Sequence, residues 1–170
     1  MKLMFKYLHV GGVKRYTFEI PQLRREVEKI CRGKTLNLFA GQTLLKINET
    51  RVDIDPKMPA DYHMPAEEFL ELAIAKGWRY DTVILDPPYN LRKSREKYNG
   101  RFVGCFTKLK DLITTIVVDG GLVLTFGYDT AGMTRKRGFQ KREIWVIYHA
   151  GDYNDTLCVV DQKTTKNLEV

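Results

Sequence analysis

Apolar residues along this chain recur with two different spacings, and the alternation between them predicts a layered α/β domain. Between residue 21 and about residue 31, Leu23, Val27 and Ile30 share one helical face while Arg24, Arg25 and Glu28 fall elsewhere. Pro21 opens this helix and Gly33 ends it. The runs TLNLFA (35–40) and RVDI (51–54) are bounded by Gly41 and by Asp55-Pro56, and read as parallel strands. Only residues 42–50 lie between them, so the spacing predicts a crossover helix of about two turns. A further helix opens at Pro65, carries Glu67 and Glu68 near its positive end, buries Phe69, Leu72 and Ala73, and closes at Gly77. The continuously apolar TVIL (82–85) suits a central strand covered on both faces. A helix over 102–118, a turn at Gly120-Gly121, a strand over 122–126 and two β-rich runs (143–149 and 156–161) joined by GDYND follow.

That order implies a doubly wound, mostly parallel sheet with a C-terminal antiparallel β-hairpin. Two β-prone pieces around Gly11-Gly12 precede it and predict a hairpin or extended arm, so that residues 1–33 form an N-terminal arm and helix. The length of 170 residues fits one domain, 1–170, with no room for a separate target-recognition domain.

Composition narrows the functional classes. A hydrophobic share of 44% against 29% charged residues excludes a disordered chain. Cys31, Cys105 and Cys158 are far apart, and His9, His63 and His149 form no ligand spacing; reduced thiols, a cytoplasmic location and no metal are expected. Lys6 interrupts the first apolar stretch and no run reaches transmembrane length, so a soluble protein without membrane contact is expected. The net charge of +7 favours a polyanionic partner, nucleic acid first.

Ligands of open α/β sheets sit beyond the carboxyl ends of the strands. Four groups of residues fall there: Phe39-Ala40-Gly41, the acids Asp53 and Asp55, the acidic loop Asp61 to Glu68, and Asp86-Pro87-Pro88-Tyr89. Gly41 lets a ligand approach the backbone closely, and an acid ending the second strand is placed to accept hydrogen bonds from ribose hydroxyls, which suggests an adenosine cofactor. Three spaced glycines are missing, which disfavours a dinucleotide and an oxidoreductase. In the tetrad, the Asp86 carboxylate and the Pro87 carbonyl can each accept an N–H from an amino group conjugated to a base, localising its lone pair toward an electrophilic methyl group. Prolines restrict the backbone and hold both acceptors in advance, and Tyr89 offers a face on which an extruded base can stack. Directly after it, Arg92, Lys93, Arg95, Lys97 and Arg101, with Tyr98 among them, form a basic run suited to phosphates. A second cluster, Arg135, Lys136, Arg137, Lys141 and Arg142, is expected beside the first at the mouth of the site.

From residue 36 through DPPY, and again over GGLVLTF (120–126), the chain resembles the amino-group methyltransferases, in particular small DNA adenine-N6 methylase-like proteins. The resemblance implies a Rossmann-like class I methyltransferase fold and S-adenosylmethionine as methyl donor. It places the cofactor loop on Asn37 to Gly41, the ribose-binding acid on Asp53, an adenine-side position on Met64 and the catalytic tetrad on Asp86 to Tyr89. DNA adenine N6 is the expected target. RNA guanine-N2 or adenine-N6 methylation, and a catalytically silent nucleic-acid-binding module, are the alternatives. A protein partner or self-association is expected to help recognise the target.

Overall fold

The computed structural model describes residues 2–87 and 101–165. Among them the chain forms β1 (Met4–His9), α1 (Pro21–Ile30), β2 (Thr35–Leu38), β3 (Glu49–Asp53), β4 (Tyr62–His63), α2 (Ala66–Ala75), β5 (Tyr80–Leu85), α3 (Arg101–Ile116), β6 (Val117–Gly127), β7 (Phe139–Tyr148) and β8 (Thr156–Lys163). The strands make one sheet in the order β1-β7-β8-β6-β5-β2-β3-β4. β8 is antiparallel to both of its neighbours, and the other neighbouring strands pair in parallel. From β2 the chain steps outward to β3 and β4, then returns to β5 and steps the other way to β6. The strand order therefore reverses between β2 and β5, where open α/β sheets place their ligands.

Both faces of the sheet are covered at β5, as the TVIL run requires. Val83 and Leu85 join Phe69, Leu70, Leu109 and Ile113 of α2 and α3 on one side, whereas Ile84 joins Leu23 and Val27 of α1 on the other. No helix among the described residues is long and apolar enough to cross a membrane.

Four expectations are corrected. The N-terminal pieces form no hairpin: residues 4–9 add to the sheet edge as β1, parallel to β7, and the second piece holds only a 3₁₀ turn at Thr17–Glu19. No helix connects β2 and β3. Residues 42–48 are an irregular loop whose polar groups bind side chains instead: the Leu45 amide donates to Glu49 Oε1 (3.0 Å) and the Lys46 amide to Glu28 Oε1 (2.9 Å). Asp119-Gly120-Gly121 does not separate helix from strand, because β6 already begins at Val117 and runs through it with a register irregularity opposite Tyr80 and Thr82. Finally, the cluster at Arg135–Arg137 precedes the start of β7, which pairs with the end of β8 at Lys163. It lies at the opposite end of the sheet from Asp86 and does not flank that site.

A buried carboxyl on β8 gives the fold a pH dependence. Burial holds Asp161 above the ordinary carboxylate range, only partly offset by the hydrogen bond from the Met133 amide (2.8 Å) and the charges of Lys141 and Lys110. A group with a raised folded pKa contributes stability that is fully present below its unfolded pKa and lost as pH rises through the folded one. Asp161→Asn, neutral throughout and able to keep the Met133 bond, should therefore gain on the parent in Tm as pH rises from about 4. A Tm difference that stays constant between pH 4 and 7 would contradict this.

Candidate active site

Beyond the C-terminal ends of β2, β3 and β5 lies a cleft of about 700 Å3, within the size range of small-molecule sites. Phe39, Ala40, Gly41, Asp53, Asp55, Asp86 and Pro87 all line it. Residues 46 positions apart in the chain thus meet because the sheet reverses between their strands. Asn37 and Met64 do not line it among the described residues. Asn37 is fully buried and its side-chain amide donates to Glu49 Oε2 (2.9 Å), while Met64 packs on the α2 side of the core. Pro88, Tyr89, Arg92, Lys93, Arg95, Lys97 and Tyr98 lie outside the described residues, and Arg101 is described only as the first residue of α3.

The loop after β2 is held in an unusual shape. Phe39 has φ +60° and Gly41 φ +61°, and a left-handed phenylalanine persists only where its surroundings over-determine it. Arg51 of β3 supplies that constraint. Its Nε donates to Pro59 O (2.6 Å), Nη1 to Thr43 O (2.8 Å) and Glu49 Oε1 (2.7 Å), and Nη2 to Ala40 O (3.2 Å) and Gly41 O (2.8 Å). All five guanidinium N–H groups are thereby used. The Arg51 and Glu49 side chains are both almost fully buried, so the pair replaces the hydrogen bonds that a crossover helix would have made internally.

Asp53 couples this loop to β3. Its Oδ2 accepts the Gly41 amide (2.8 Å) and its Oδ1 the Asp55 amide (2.9 Å). Each carboxylate oxygen keeps a second lone pair for a ligand hydroxyl. Asp86 follows the buried strand residues 82–85, half-buried itself, and Pro87 is buried beside it.

Sequence reasoning missed the opposite wall. It consists of the strap 13–18 after β1 and of His149, Tyr153, Asn154 and Thr156 around the β7–β8 turn. His149 is buried and ties the two together: Nδ1 bonds Gly12 O (3.2 Å) and Nε2 bonds Thr156 Oγ1 (2.9 Å). A carbonyl can only accept, so Nδ1–H donates to Gly12 O. Tyr16 lies against the loop after β2, its Cδ1 3.2 Å from where a Cβ on Gly41 would stand. Topology could have signalled this wall, since a hairpin returning antiparallel beside β6 must turn at the end where the parallel strands finish. The cleft's polarity is divided, with Asp53, Asp55 and Asp86 on the β2–β5 side and exposed Lys14 and Arg15 on the strap. Neither Cys31 nor Cys158 lines it, and burial, with the nearby carboxylates of Glu49 and Glu28, pushes the Cys31 thiol up to about 12.

This strand order and cleft define a Rossmann-like class I methyltransferase fold, and solved structures share it. The N-methyltransferase NodS from Bradyrhizobium japonicum WM9 is similar over 90% of this chain and 100% of its own (TM-score 0.60, 9% identity). SMU.776, solved in complex with SAH, is similar over 86% of this chain and 50% of its own (TM-score 0.58, 13% identity). TrmN from Thermus thermophilus is similar over 85% and 48% (TM-score 0.54, 14% identity). The chain thus spans about half the length of the latter two. No protein-family model and no curated protein matches the sequence.

Proposed function

We propose that this chain is an S-adenosylmethionine-dependent methyltransferase whose acceptor is an exocyclic amino nitrogen of a nucleic-acid base, adenine N6 of DNA first. One observation carries the reading: Asp86-Pro87, at the end of β5, opens into the same cleft as Gly41 and Asp53, across the point where strand order reverses. When bound, the cofactor supplies an electrophilic methyl group. The free lone pairs of Asp53 accept its ribose hydroxyls, and the left-handed turn at Gly41 holds that carboxylate in place through the Gly41 amide. The Asp86 carboxylate and Pro87 carbonyl accept the two N–H groups of the target amine and turn its lone pair toward the methyl. Pro88 and Tyr89 complete the tetrad, with Tyr89 stacking the base, and Arg92, Lys93, Arg95, Lys97, Tyr98 and Arg101 bind flanking nucleotides. Asn37 and Met64 take supporting places behind the cofactor wall.

Incubating the chain with methyl-labelled S-adenosylmethionine and separate DNA and RNA pools tests the reading. Label on adenine in DNA is expected. Label on RNA alone would transfer the reading to RNA guanine-N2 or adenine-N6 methylation, and cofactor binding without label on either would favour a silent binding module. Asp53→Ala should weaken calorimetric cofactor binding by at least about tenfold, the size expected for hydrogen bonds to a charged group. Unchanged affinity would remove Asp53 from the site.

A further inference from the structure

The edge strand β1 carries a row of rings that the cleft chemistry does not use. Side chains alternate across a strand, so Phe5, Tyr7 and His9 point to one face while Lys6 and Leu8 point to the other. Leu8 is buried with Trp145, and Lys6 lies over the Trp145 ring and pairs with Glu26 and Glu143. Nothing among the described residues covers the other row: Phe5 is 70% and Tyr7 64% exposed. Tyr148, opposite His9 in the register of β7, joins them. Its ring stacks on Tyr7 with centroids 5.9 Å apart at 24°, and lies 5.1 Å from His9. Rings that brace one another in this way lose little further freedom when a planar ligand stacks on them.

The direction of the row matters as much as its composition. β1 runs parallel to β7 and β5, so His9 lies at the cleft end of the sheet and Phe5 farther from it. The chain then passes without a break through Gly11 and Gly12 into the strap that lines the cleft with exposed Lys14 and Arg15, neither of which forms an ion pair among the described residues. Alternate residues on a strand stand about 6.5 Å apart, close to the reach of one extended nucleotide. Aromatic rings beside a cationic groove are how single strands are held without regard to sequence, because every base has a face to stack.

We infer that the face of Phe5, Tyr7, His9 and Tyr148 is a stacking track for single-stranded nucleic acid, which runs along β1 and delivers a nucleotide past Lys14 and Arg15 to Asp86. This inference rests on the nucleic-acid methyltransferase reading and names its substrate as a single strand. Charge decides between occupants. An exposed edge strand could also pair with a second copy, but a net charge of +7 repels another copy and attracts a polyanion. The rings offer faces to bases and the strap offers cations to phosphates.

The test measures binding of fluorescent single-stranded DNA and RNA oligonucleotides to the full chain by anisotropy, with matched duplexes alongside. The Phe5→Ala/Tyr7→Ala variant alters exposed side chains only, and thermal melting checks its fold. The parent should prefer single strands. The double variant should weaken that binding by at least about tenfold, the double variant to Trp should retain it, and calorimetric affinity for S-adenosylmethionine should not change. Equal single-strand affinity in parent and Ala variant would overturn the track, as would a parent that binds no single strand. A parent dimer by sedimentation that the same substitutions dissociate would overturn it in favour of a second copy on this face. Failure of cofactor binding in the parent would instead strike the methyltransferase reading and would leave the anisotropy result to decide the track by itself.

Discussion

An Asp86→Ala variant is expected to bind S-adenosylmethionine as the parent does and to transfer its methyl group at least about 100-fold more slowly. The reason lies in what the residue can do at its position. Asp86 follows four buried strand residues and is itself half-buried, so thermal melting of the variant accompanies the rate measurement. The cofactor-side groups, Gly41 and Asp53, hold each other through a bond that does not involve Asp86. In the proposed chemistry Asp86 is a preorganised acceptor for the target amine, and removal of one such group costs about 100- to 1000-fold in turnover. It should appear in kcat rather than KM, since the interaction tightens as the amine becomes tetrahedral. Asp86→Asn, which keeps one acceptor oxygen but loses the charge, should fall between the two. Single-turnover transfer with saturating cofactor measures this, and a parent-like rate in Asp86→Ala would end the proposed chemistry.

Arg51→Met is expected to produce the largest loss of stability. Removing one partner of a buried ion pair leaves the other charge without compensation and costs about 3–5 kcal/mol. Here the abandoned partner is Glu49, and four backbone carbonyls lose their donor as well. For a chain of this size that corresponds to a Tm lower by about 10 °C or more. Arg51→Lys should recover little, because an ammonium has three donors where five are used. Adding Glu49→Gln should restore part of the loss, because the two sites share one network. Below its melting temperature, Arg51→Met should also bind cofactor poorly, since the loop that holds Gly41 loses its internal brace. Full stability in Arg51→Met by thermal melting would show that the loop is held by something else.

Much of this protein is determined by its sequence alone. Periods of about 3.6 and 2 depend on neighbours a few residues apart, so α1, α2, β2 and β5 were legible from Leu23 and Val27, from Phe69 and Ala73, and from TLNL and TVIL. The DPP stop after TVIL and the glycine after TLNLFA identified two strand ends that line the cleft, because proline and glycine act on the backbone locally. Partners far away in the chain decided the rest. Residues 42–50 have the length of a short helix, yet 42–48 form a loop that leads directly into β3, because Arg51 and Glu49 take up polar groups that a helix would pair. Residues 4–9 look like half of a hairpin, but they pair with β7, some 140 positions onward in the register. The basic cluster at 135–137 reads as part of the site until the path from β6 to β7 carries it to the far end of the sheet. Tyr16 and His149 carry no sequence signal, since their role comes from the surfaces they join, Tyr16 against Gly41 and His149 between Gly12 and Thr156. Chain-local sterics and hydrophobic spacing are written residue by residue, whereas the occupant of a vacant hydrogen bond or an open sheet edge is set only when the tertiary structure closes.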